Sequence, residues 1–355
     1  MKKKSSFRFS VLLIAAGLIL MAVSFSALIF HSSASETESK TREITVEEPF
    51  TGISIEAPDY HVRFIESSDG QCTVSFFENE YSTCTVQVSG GVLTVEEQSK
   101  IPVIIRWFMD LRNNMSIVVS LPAGAHQSLY VESSSGNTEI SPSFSFEKAR
   151  VESSSGDIRF LADANEVELS SFSGSIELCG SAYETVYVSA TSGNVLVSGF
   201  QANQISLSST SGDIQIGNLE CGSVEAAAKS GDIRASSVKG VSLDLSTTSG
   251  KIDVKNASCG SLNIISTSGD VLLENALLEN DLMAETTSGS VRLNRCDAKN
   301  LSFITASGDI NGSLLTPKQF RAYSSAGLMR VPDSAADGVC KAESSSGDIH
   351  FTLAQ

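Results

Sequence analysis

Cysteine is the most reactive residue type in this sequence, and its spacing limits the chemistry that it can perform. No two cysteines are spaced as C-x-x-C, the arrangement found in zinc ribbons and thioredoxin-like redox sites. Cys72 and Cys84 are each followed by Thr-Val, so a disulfide across a hairpin is one interpretation and two separate thiols is the other. The seven cysteines are Cys72, Cys84, Cys179, Cys221, Cys259, Cys296 and Cys340.

Aspartate that recurs after Ser-Gly is the best candidate for a metal ligand. Calcium-binding β-rolls use Gly- and Asp-rich turns, but they repeat every nine residues and offer several ligands per turn. Here a single acidic residue appears about every 19 residues, whereas calcium takes six or more oxygens. The pattern favours a turn-forming role, and we predict no metal and no other cofactor.

Residues suited to acid–base or nucleophilic catalysis are not grouped in the sequence. Polysaccharide-cleaving β-helices need clustered carboxylates reached by long loops, and the repeat described below leaves almost no room for insertions. The net charge of −16 disfavours nucleic acid as a partner. We therefore predict a non-catalytic protein. The four histidines, which form no evident triad, are His31, His61, His126 and His350.

An internal repeat supplies the elements that must position all of these residues. A glycine preceded by Ser or Ala recurs twelve times, always 18 to 20 residues after the previous one. Such regularity identifies one structural unit copied along the chain. The glycines are Gly136, Gly156, Gly174, Gly193, Gly212, Gly231, Gly250, Gly269, Gly289, Gly308, Gly327 and Gly347.

Apolar residues alternate with polar ones on both sides of each glycine, which predicts a strand, a turn and a second strand. Around Gly212, for example, Ile205 and Leu207 precede the turn, and Ile214 and Ile216 follow it. A unit this short cannot bury its own inner face, so successive copies must stack. The predicted fold is all-β, a parallel β-solenoid (β-helix) of about 19 residues per rung, with two facing sheets.

The glycine and the Asp or Asn after it are predicted to form the turn. A tight bend between two strands needs a residue with positive φ, and glycine provides it without steric cost. The following carboxylate or amide can then accept hydrogen bonds from nearby backbone N–H groups.

The N-terminal segment predicts attachment to a membrane. Residues 1–10 form a basic tip, residues 11–30 an uncharged apolar run long enough to span a bilayer as a helix, and residues 31–43 a polar tether. The basic flank predicts a cytoplasmic N-terminus and an external solenoid, with a single pass through the cell membrane. A cleaved signal peptide ending near Ala34 is the alternative.

Residues 44–128 precede the regular repeats, which occupy 129–355, and keep only part of the rhythm. Centring the pattern on Tyr60 predicts one worn rung, with further strands at 72–77, 84–89, 92–96 and 115–121. We expect a cap here, because a solenoid end exposes strand edges and core. Ile101 to Leu111, with the only Trp, either plugs this end or forms a buried strand, or it contacts a membrane or partner.

Three features together resemble a known bacterial family. They are the N-terminal apolar run, the segment Ile117 to Pro122 (IVVSLP) that leads into the first repeat, and the later Ser-Gly-Asp-Ile repeats. The chain is similar over residues 45–355 to exported β-strand-repeat proteins known as the "putative adhesin" family, some of which are encoded beside envelope-stress sensing systems. The resemblance implies a membrane-anchored β-solenoid, and it implies no catalytic residue.

The function predicted is that of a membrane-anchored, extracytoplasmic β-solenoid acting as a binding, adhesion or structural module at the cell envelope. Its expected partners are the cytoplasmic membrane, through residues 11–30, and an envelope protein or polymer. Two alternatives remain, a sensor or accessory protein of an envelope-stress system and a scaffold that assembles end to end.

An apolar patch on the outer face is the candidate partner site. Ile265, Met283 and Ile304 occupy outward positions of three successive rungs, where other rungs carry polar residues. Ordinary exposed apolar side chains are the alternative explanation.

Overall fold

In the computed structural model, every regular element of the described residues is a β-strand. The described residues are 40–79, 81–100, 115–334, 336 and 338–354. The predicted tip, the apolar run, residues 31–39 of the tether and Ile101 to Leu111 lie outside them. Within these ranges no helix has the length and apolar character that crossing a membrane requires.

Seven strands precede the regular repeats, and they include those predicted there. They are β1 (Lys40–Val46), β2 (Gly52–Glu56), β3 (His61–Glu66), β4 (Cys72–Glu78), β5 (Ser82–Ser89), β6 (Val92–Ser99) and β7 (Ser116–Leu121).

The regular repeats contribute the remaining strands, usually one before and one after each glycine. They are β8 (Gly124–Ser133), β9 (Thr138–Ile140), β10 (Phe144–Ser153), β11 (Ile158–Phe160), β12 (Asp163–Ser171), β13 (Ile176–Cys179), β14 (Ala182–Ala190), β15 (Val195–Ser198), β16 (Gln201–Ser209), β17 (Ile214–Ala228), β18 (Ile233–Thr247), β19 (Ile252–Lys255), β20 (Ser258–Ser266), β21 (Val271–Glu274), β22 (Leu277–Leu278), β23 (Asp281–Thr286), β24 (Val291–Cys296), β25 (Asn300–Thr305), β26 (Ile310–Leu314), β27 (Gln319–Ser324), β28 (Met329–Arg330), β29 (Val339–Ser344) and β30 (Ile349–Leu353).

The strands of successive repeats pair in parallel and in register, which confirms the predicted solenoid. For example, Val186 of β14 pairs with Val167 of β12 on one side and Ile205 of β16 on the other. All three side chains are buried, and the residues between the apolar positions face solvent. Each such side chain contributes roughly 1.5–3 kcal/mol through burial.

Two facing sheets do not describe the rung completely, because a third straight stretch follows the second strand. In β17 the chain bends at Asn218, where φ is 52°, and then buries Leu219 and Cys221. These residues pair in parallel with Val238 and Gly240 of the next rung. Among the described residues, the other non-glycine positions with positive φ are Ser237, Asn256, Asn275 and Arg295, and each marks the same bend.

The prediction of positive φ at the glycine column is wrong, although the glycines do lie at the bends. None of the twelve is in the left-handed region. Instead, a Cβ on Gly231 would lie 2.0 Å from the Gly212 carbonyl oxygen, and one on Gly250 would lie 1.8 Å from that of Gly231. Glycine is required because the backbones of adjacent rungs meet there.

In several rungs a buried hydroxyl three residues before the glycine ties the bend to the neighbouring rung, whereas Ala190 and Ala228 take this position in two rungs and Ser153 Oγ is unpaired. The Gly250 N–H donates to Thr247 Oγ1 at 3.1 Å, and that hydroxyl donates to the carbonyl oxygen of Gly231 at 3.2 Å. Thr286 and Thr305 bind in the same way. The hydroxyl therefore satisfies polar backbone groups inside the solenoid, where each unpaired group would cost about 1–3 kcal/mol.

The residue after the glycine acts between rungs rather than within one turn. Asp213 Oδ1 accepts the Asp232 N–H at 2.9 Å, and Asp232 Oδ1 accepts the Lys251 N–H at 2.8 Å. Arg234 spans both carboxylates, with Nη–Oδ2 distances of 2.7 Å to Asp213 and to Asp232. The acidic column is thus a structural ladder.

The N-terminal end does not stack in sequence order. The worn rung predicted around Tyr60 exists, but β2 and β3 lie between the rung of β8 and β9 and an outer rung made of β6 and β7. Beyond the outer rung, β4 pairs antiparallel with β7, β1 with β4, and β5 with β6. These antiparallel strands are the expected cap.

Rung order is also changed at the C-terminal end, where we name the rungs after their glycines. The Gly347 rung (β29, β30) lies between the Gly308 rung (β25, β26) and the Gly327 rung (β27, β28). The chain therefore forms the outermost Gly327 rung first, and the Gly347 rung that follows in sequence fills the position between it and the Gly308 rung. The prediction that every rung pairs with the next in sequence fails at both ends.

A buried ion pair holds the crossing segment, which is the connection between β26 of the Gly308 rung and β27 of the Gly327 rung. Lys318 Nζ lies 2.9 Å from Asp297 Oδ1, and the Lys318 side chain is almost fully buried. Gly338 sits beneath it with φ of 98°, and a Cβ there would lie 2.5 Å from the Lys299 carbonyl oxygen. Asp297 Oδ1 also accepts a hydrogen bond from Thr316 at 3.0 Å.

All seven cysteines are free thiols. Cys72 and Cys84 are buried in strands that do not pair with each other, since β4 pairs with β1 and β7 and β5 pairs with β6. The hairpin disulfide is therefore absent. Cys296 and Cys340 are fully buried core residues.

Candidate binding cleft

A cleft of about 590 Å³ opens where the N-terminal cap meets the first regular rung. This volume is within the range of small-molecule sites. The ends of β1 and β7 and the starts of β4 and β8 supply its walls. Its lining residues are Thr45, Val46, Glu47, Glu48, Pro49, Phe50, Gly70, Gln71, Cys72, Leu121, Pro122, Ala123, Gly124, Ala125 and His126.

Pairing between strands fixes the walls of the cleft. Val46 at the end of β1 is opposite Cys72 at the start of β4. The Ser67 N–H donates to the Leu121 carbonyl oxygen at 2.7 Å, which holds the turn before β4 against the end of β7. His126 pairs with Phe146 in the next rung. The cleft is therefore built on strands whose register is set by the solenoid.

His126 is a partly buried polar residue in the lining of this cleft. Its ring is stacked between Phe50, at a centroid distance of 6.3 Å, and Phe146, at 5.8 Å. Its Nε2 atom is buried and has no hydrogen-bond partner among the described residues. A buried nitrogen of this kind is a ready partner for one polar group of a ligand.

Burial lowers the pKa of His126 below its ordinary 6.5. The imidazole is therefore neutral at neutral pH, with one ring nitrogen as donor and the other as acceptor. Glu47 and Glu48 lie exposed on the rim and give the mouth of the cleft a negative charge. The floor is thus aromatic and neutral, and the edge is acidic.

Sequence reasoning did not find this cleft. The signal that was available is the column that His126 shares with Phe146, Ala164 and Tyr183, where a histidine replaces an apolar or aromatic residue. The cleft itself depends on the ends of β1, β4 and β7 lying beside that column, and sequence spacing does not show this placement.

Metal binding has no support in the described ranges, which contain no group of three or more His, Cys, Asp or Glu side chains placed to hold an ion. The remaining histidines are dispersed. His61 Nδ1 accepts the Asn137 N–H at 3.0 Å, and His350 is exposed in β30.

The predicted outer patch is less continuous than its spacing indicated. Ile265 is 46% exposed, and Met283 and Ile304 are half-buried. In register, Glu285 lies between Ile265 and Ile304, and Met283 occupies the neighbouring column beside Asn263. A role in partner binding stays a prediction for this patch.

Comparison with known proteins gives a family model and several distant structures. The model described as Toastrack DUF4097 matches residues 50–202 and 180–352. No curated protein matches the chain.

The solved structures found to be similar are distant in sequence. The "putative adhesin" of Parabacteroides merdae ATCC 43184 is 13% identical, with 77% of this chain and 95% of that chain covered and a TM-score of 0.40. The "putative lipid binding protein" of Parabacteroides distasonis ATCC 8503 is 14% identical, covers 88% and 96%, and has a TM-score of 0.33. A "putative adhesin" of the same organism is 14% identical, covers 78% and 98%, and has a TM-score of 0.31.

Proposed function

We propose that this chain, which belongs to the Toastrack DUF4097 family, is a non-catalytic binding module displayed outside the cytoplasmic membrane. In this proposal residues 11–30 anchor it, residues 31–43 tether it, and the solenoid presents a ligand site at the cell envelope. The envelope protein or polymer expected as its partner would engage this rod.

The cleft around His126 carries the proposal. Elsewhere along the regular rungs, polar side chains such as Asp213, Asp232 and Thr247 are occupied with holding one rung to the next. His126 differs from them because it lines a cleft and its Nε2 atom is buried and unpaired; the other unpaired atoms of the regular rungs, in Thr138, Ser153, Asp253 and Asn263, belong to residues that do not line this cleft. An unpaired nitrogen beside a preformed cleft gains a hydrogen bond from a ligand group that reaches it.

The lining indicates the chemical class of the ligand. Phe50, Val46 and Pro122 offer apolar contact, and His126 offers a single hydrogen bond. The acidic rim disfavours an anion. The ligand expected is an uncharged or cationic molecule with an apolar body and one polar group near its end.

Binding of N-phenyl-1-naphthylamine, a neutral aromatic probe with one N–H group, tests the proposal. The chain from residue 40 onward should bind the probe saturably, with an increase in fluorescence. Ala125→Trp fills the cleft from an exposed position and should reduce this signal at least about tenfold. Val241→Trp, on an exposed mid-rod position, is the matched control and should bind like the parent.

His126→Phe separates the hydrogen bond from the aromatic surface. It keeps the stacked ring but removes Nε2, so affinity should fall by roughly 5- to 10-fold, the effect of one hydrogen bond. If the parent shows no saturable binding, or Ala125→Trp binds as the parent does, the cleft is not the ligand site.

A further inference from the structure

The C-terminal end of the solenoid is an open strand edge. Among the described residues, β27 pairs only with β29 and β28 pairs only with β30. Gln319 and Ser325 donate their N–H groups inward, to Gly338 and Ser344. Because backbone groups alternate along a strand, the N–H and C=O groups of Phe320, Ala322 and Ser324 point away from the solenoid.

The side chains at this end are apolar where the other rungs are polar. Position +1 after the glycine carries Leu328, which is 67% exposed, whereas other rungs place Asp, Asn, Ser or Lys there. Tyr323 is 61% exposed, and Met329 is also exposed. In most other rungs a polar side chain at this position accepts a hydrogen bond from the next rung, so its replacement by Leu328 marks an end built for apolar contact.

An aromatic column reaches this end and stops there. Phe303, Phe351 and Phe320 stack with centroid distances of 5.9 Å and 5.3 Å. Phe351 has room only because Gly312 lies opposite, where a Cβ would be 2.6 Å from its ring. Only another strand edge with an apolar inner column continues both the ladder and this stack.

We propose that two copies of this chain join through their C-terminal ends, with β27 pairing antiparallel to β27 of the second copy. Twofold pairing centred on Ala322 places Arg321 of one copy opposite Tyr323 of the other, twice. Arg321 forms no ion pair among the described residues, and a cation facing an exposed aromatic ring is favourable. Shifting the register by one residue on each strand would place Arg321 opposite Arg321, which is unfavourable.

The other end favours a closed pair over a filament. There β1 covers β4, and β1 is an edge strand that carries Lys40, Arg42 and Glu43. Charged edge strands resist further pairing. A contact of the C-terminal end with itself is isologous, so it closes at two copies.

Mass measurement on the full chain in detergent tests the proposal. Sedimentation at increasing concentration should give two copies for the parent. Leu328→Lys would bury an ammonium group in the interface and should raise the dimer dissociation constant by roughly 10- to 100-fold. Val241→Lys, at a mid-rod position that is 70% exposed, is the matched control and should remain dimeric.

Oxidative cross-linking tests the geometry. Ala322→Cys should form a disulfide between copies, since directly opposed residues lie about 5.5 Å apart. Val241→Cys should give no such band. A monomeric parent, or a Leu328→Lys protein that is as dimeric as the parent, would overturn the proposal. The second result would instead assign association to another segment, such as residues 1–39.

Discussion

In the middle of the solenoid each rung pairs with the rungs before and after it in sequence, whereas at the C-terminal end the Gly347 rung lies between the Gly308 and Gly327 rungs. Middle rungs share one register and the same bend, so one copy can take the place of another. The end rungs are interlocked, and each has a fixed place. The difference shows that repetition in sequence does not imply repetition in connectivity.

Deleting whole rungs should give the largest difference between the middle and the C-terminal end of the solenoid. Deleting Asp213 through Gly231 removes one whole middle rung and joins Gly212 to Asp232, so every column continues and the protein should stay folded. Removing Val339 through Gln355 takes the partners that β27 and β28 have among the described residues and should cost about 5 kcal/mol or more.

Thermal unfolding followed by far-UV circular dichroism measures both changes. Deleting only Asp213 through Gly222 serves as the control for register, because it shifts every inward column and should prevent folding. Equal melting temperatures for the whole-rung deletion and the Val339–Gln355 truncation would refute the distinction between middle and end.

The glycine stack gives the next largest effect. Gly231→Ala places a Cβ against the Gly212 carbonyl oxygen between two rungs that cannot separate, and it should cost about 3 kcal/mol or more. Gly327→Ala makes the same clash, at 2.0 Å, with the Gly347 carbonyl oxygen, but its rung is last in the stack and can move outward. It should therefore cost less.

Gly217→Ala is the matched control for the stack, because its Cβ would meet no described atom closer than 3.6 Å. Chemical denaturation of the three variants should give losses in the order Gly231→Ala, Gly327→Ala, Gly217→Ala. A large loss for Gly217→Ala would show that alanine disturbs these rungs for a reason other than the close approach.

Breaking the buried pair between Lys318 and Asp297 tests what holds the C-terminal rungs in their changed order. Asp297→Asn leaves the Lys318 ammonium buried without its counter-charge and should cost about 2–3 kcal/mol. Lys148→Ala removes an exposed pair with Glu166 and should change stability by less than about 1 kcal/mol. Similar urea midpoints for these two variants would mean that Lys318 does not hold the crossing segment.

Acidification should reveal the smallest difference. The Arg234 guanidinium, followed by the Asp232 N–H, holds the pKa of Asp213 below its usual 3.8. A lowered pKa stabilises the folded state above the unfolded pKa, and this contribution is lost as pH falls through the folded value. The free energy of unfolding of the parent should therefore exceed that of Asp213→Asn by up to about 1 kcal/mol at pH 7, and the two should be equal near pH 2.

Denaturation curves at several pH values measure this gap. Leu328→Asn changes the equivalent position of the end rung, which has no carboxylate, so its difference from the parent should not depend on pH in this range. A gap between the parent and Asp213→Asn that persists at pH 2 would contradict the carboxylate–guanidinium explanation.

Much of the fold could be predicted because it repeats. Alternation around Gly212 defined two strands and their inward faces, and the worn rung around Tyr60 followed from the same template. The third stretch was missed because its bend at Asn218 needs no glycine. The reason for the glycine column was also misjudged, since a close approach between rungs and a positive φ both favour glycine.

The candidate cleft and the changed rung order depend on contacts that spacing does not encode. His126 sits in the same column as Phe146, yet it becomes a cleft residue only because the ends of β1, β4 and β7 lie beside it. The sequence around Lys318 predicts a solvated lysine. It is buried because it lies in the connection between the Gly308 rung and the Gly327 rung, which are not neighbours in the stack. Both features require knowing which rungs are neighbours.

The inserted Gly347 rung has a consequence for the order of events during synthesis. A chain that emerges from its N-terminus can add middle rungs one by one, each templated by the last. The Gly327 rung cannot join in this way, because its partner strands β29 and β30 are made after it. It stays unpaired until residues 339–353 are made and form β29 and β30 between the Gly308 and Gly327 rungs. The tip is therefore the last part of the molecule to mature, and a chain interrupted before this point would expose Phe303 where a finished one does not.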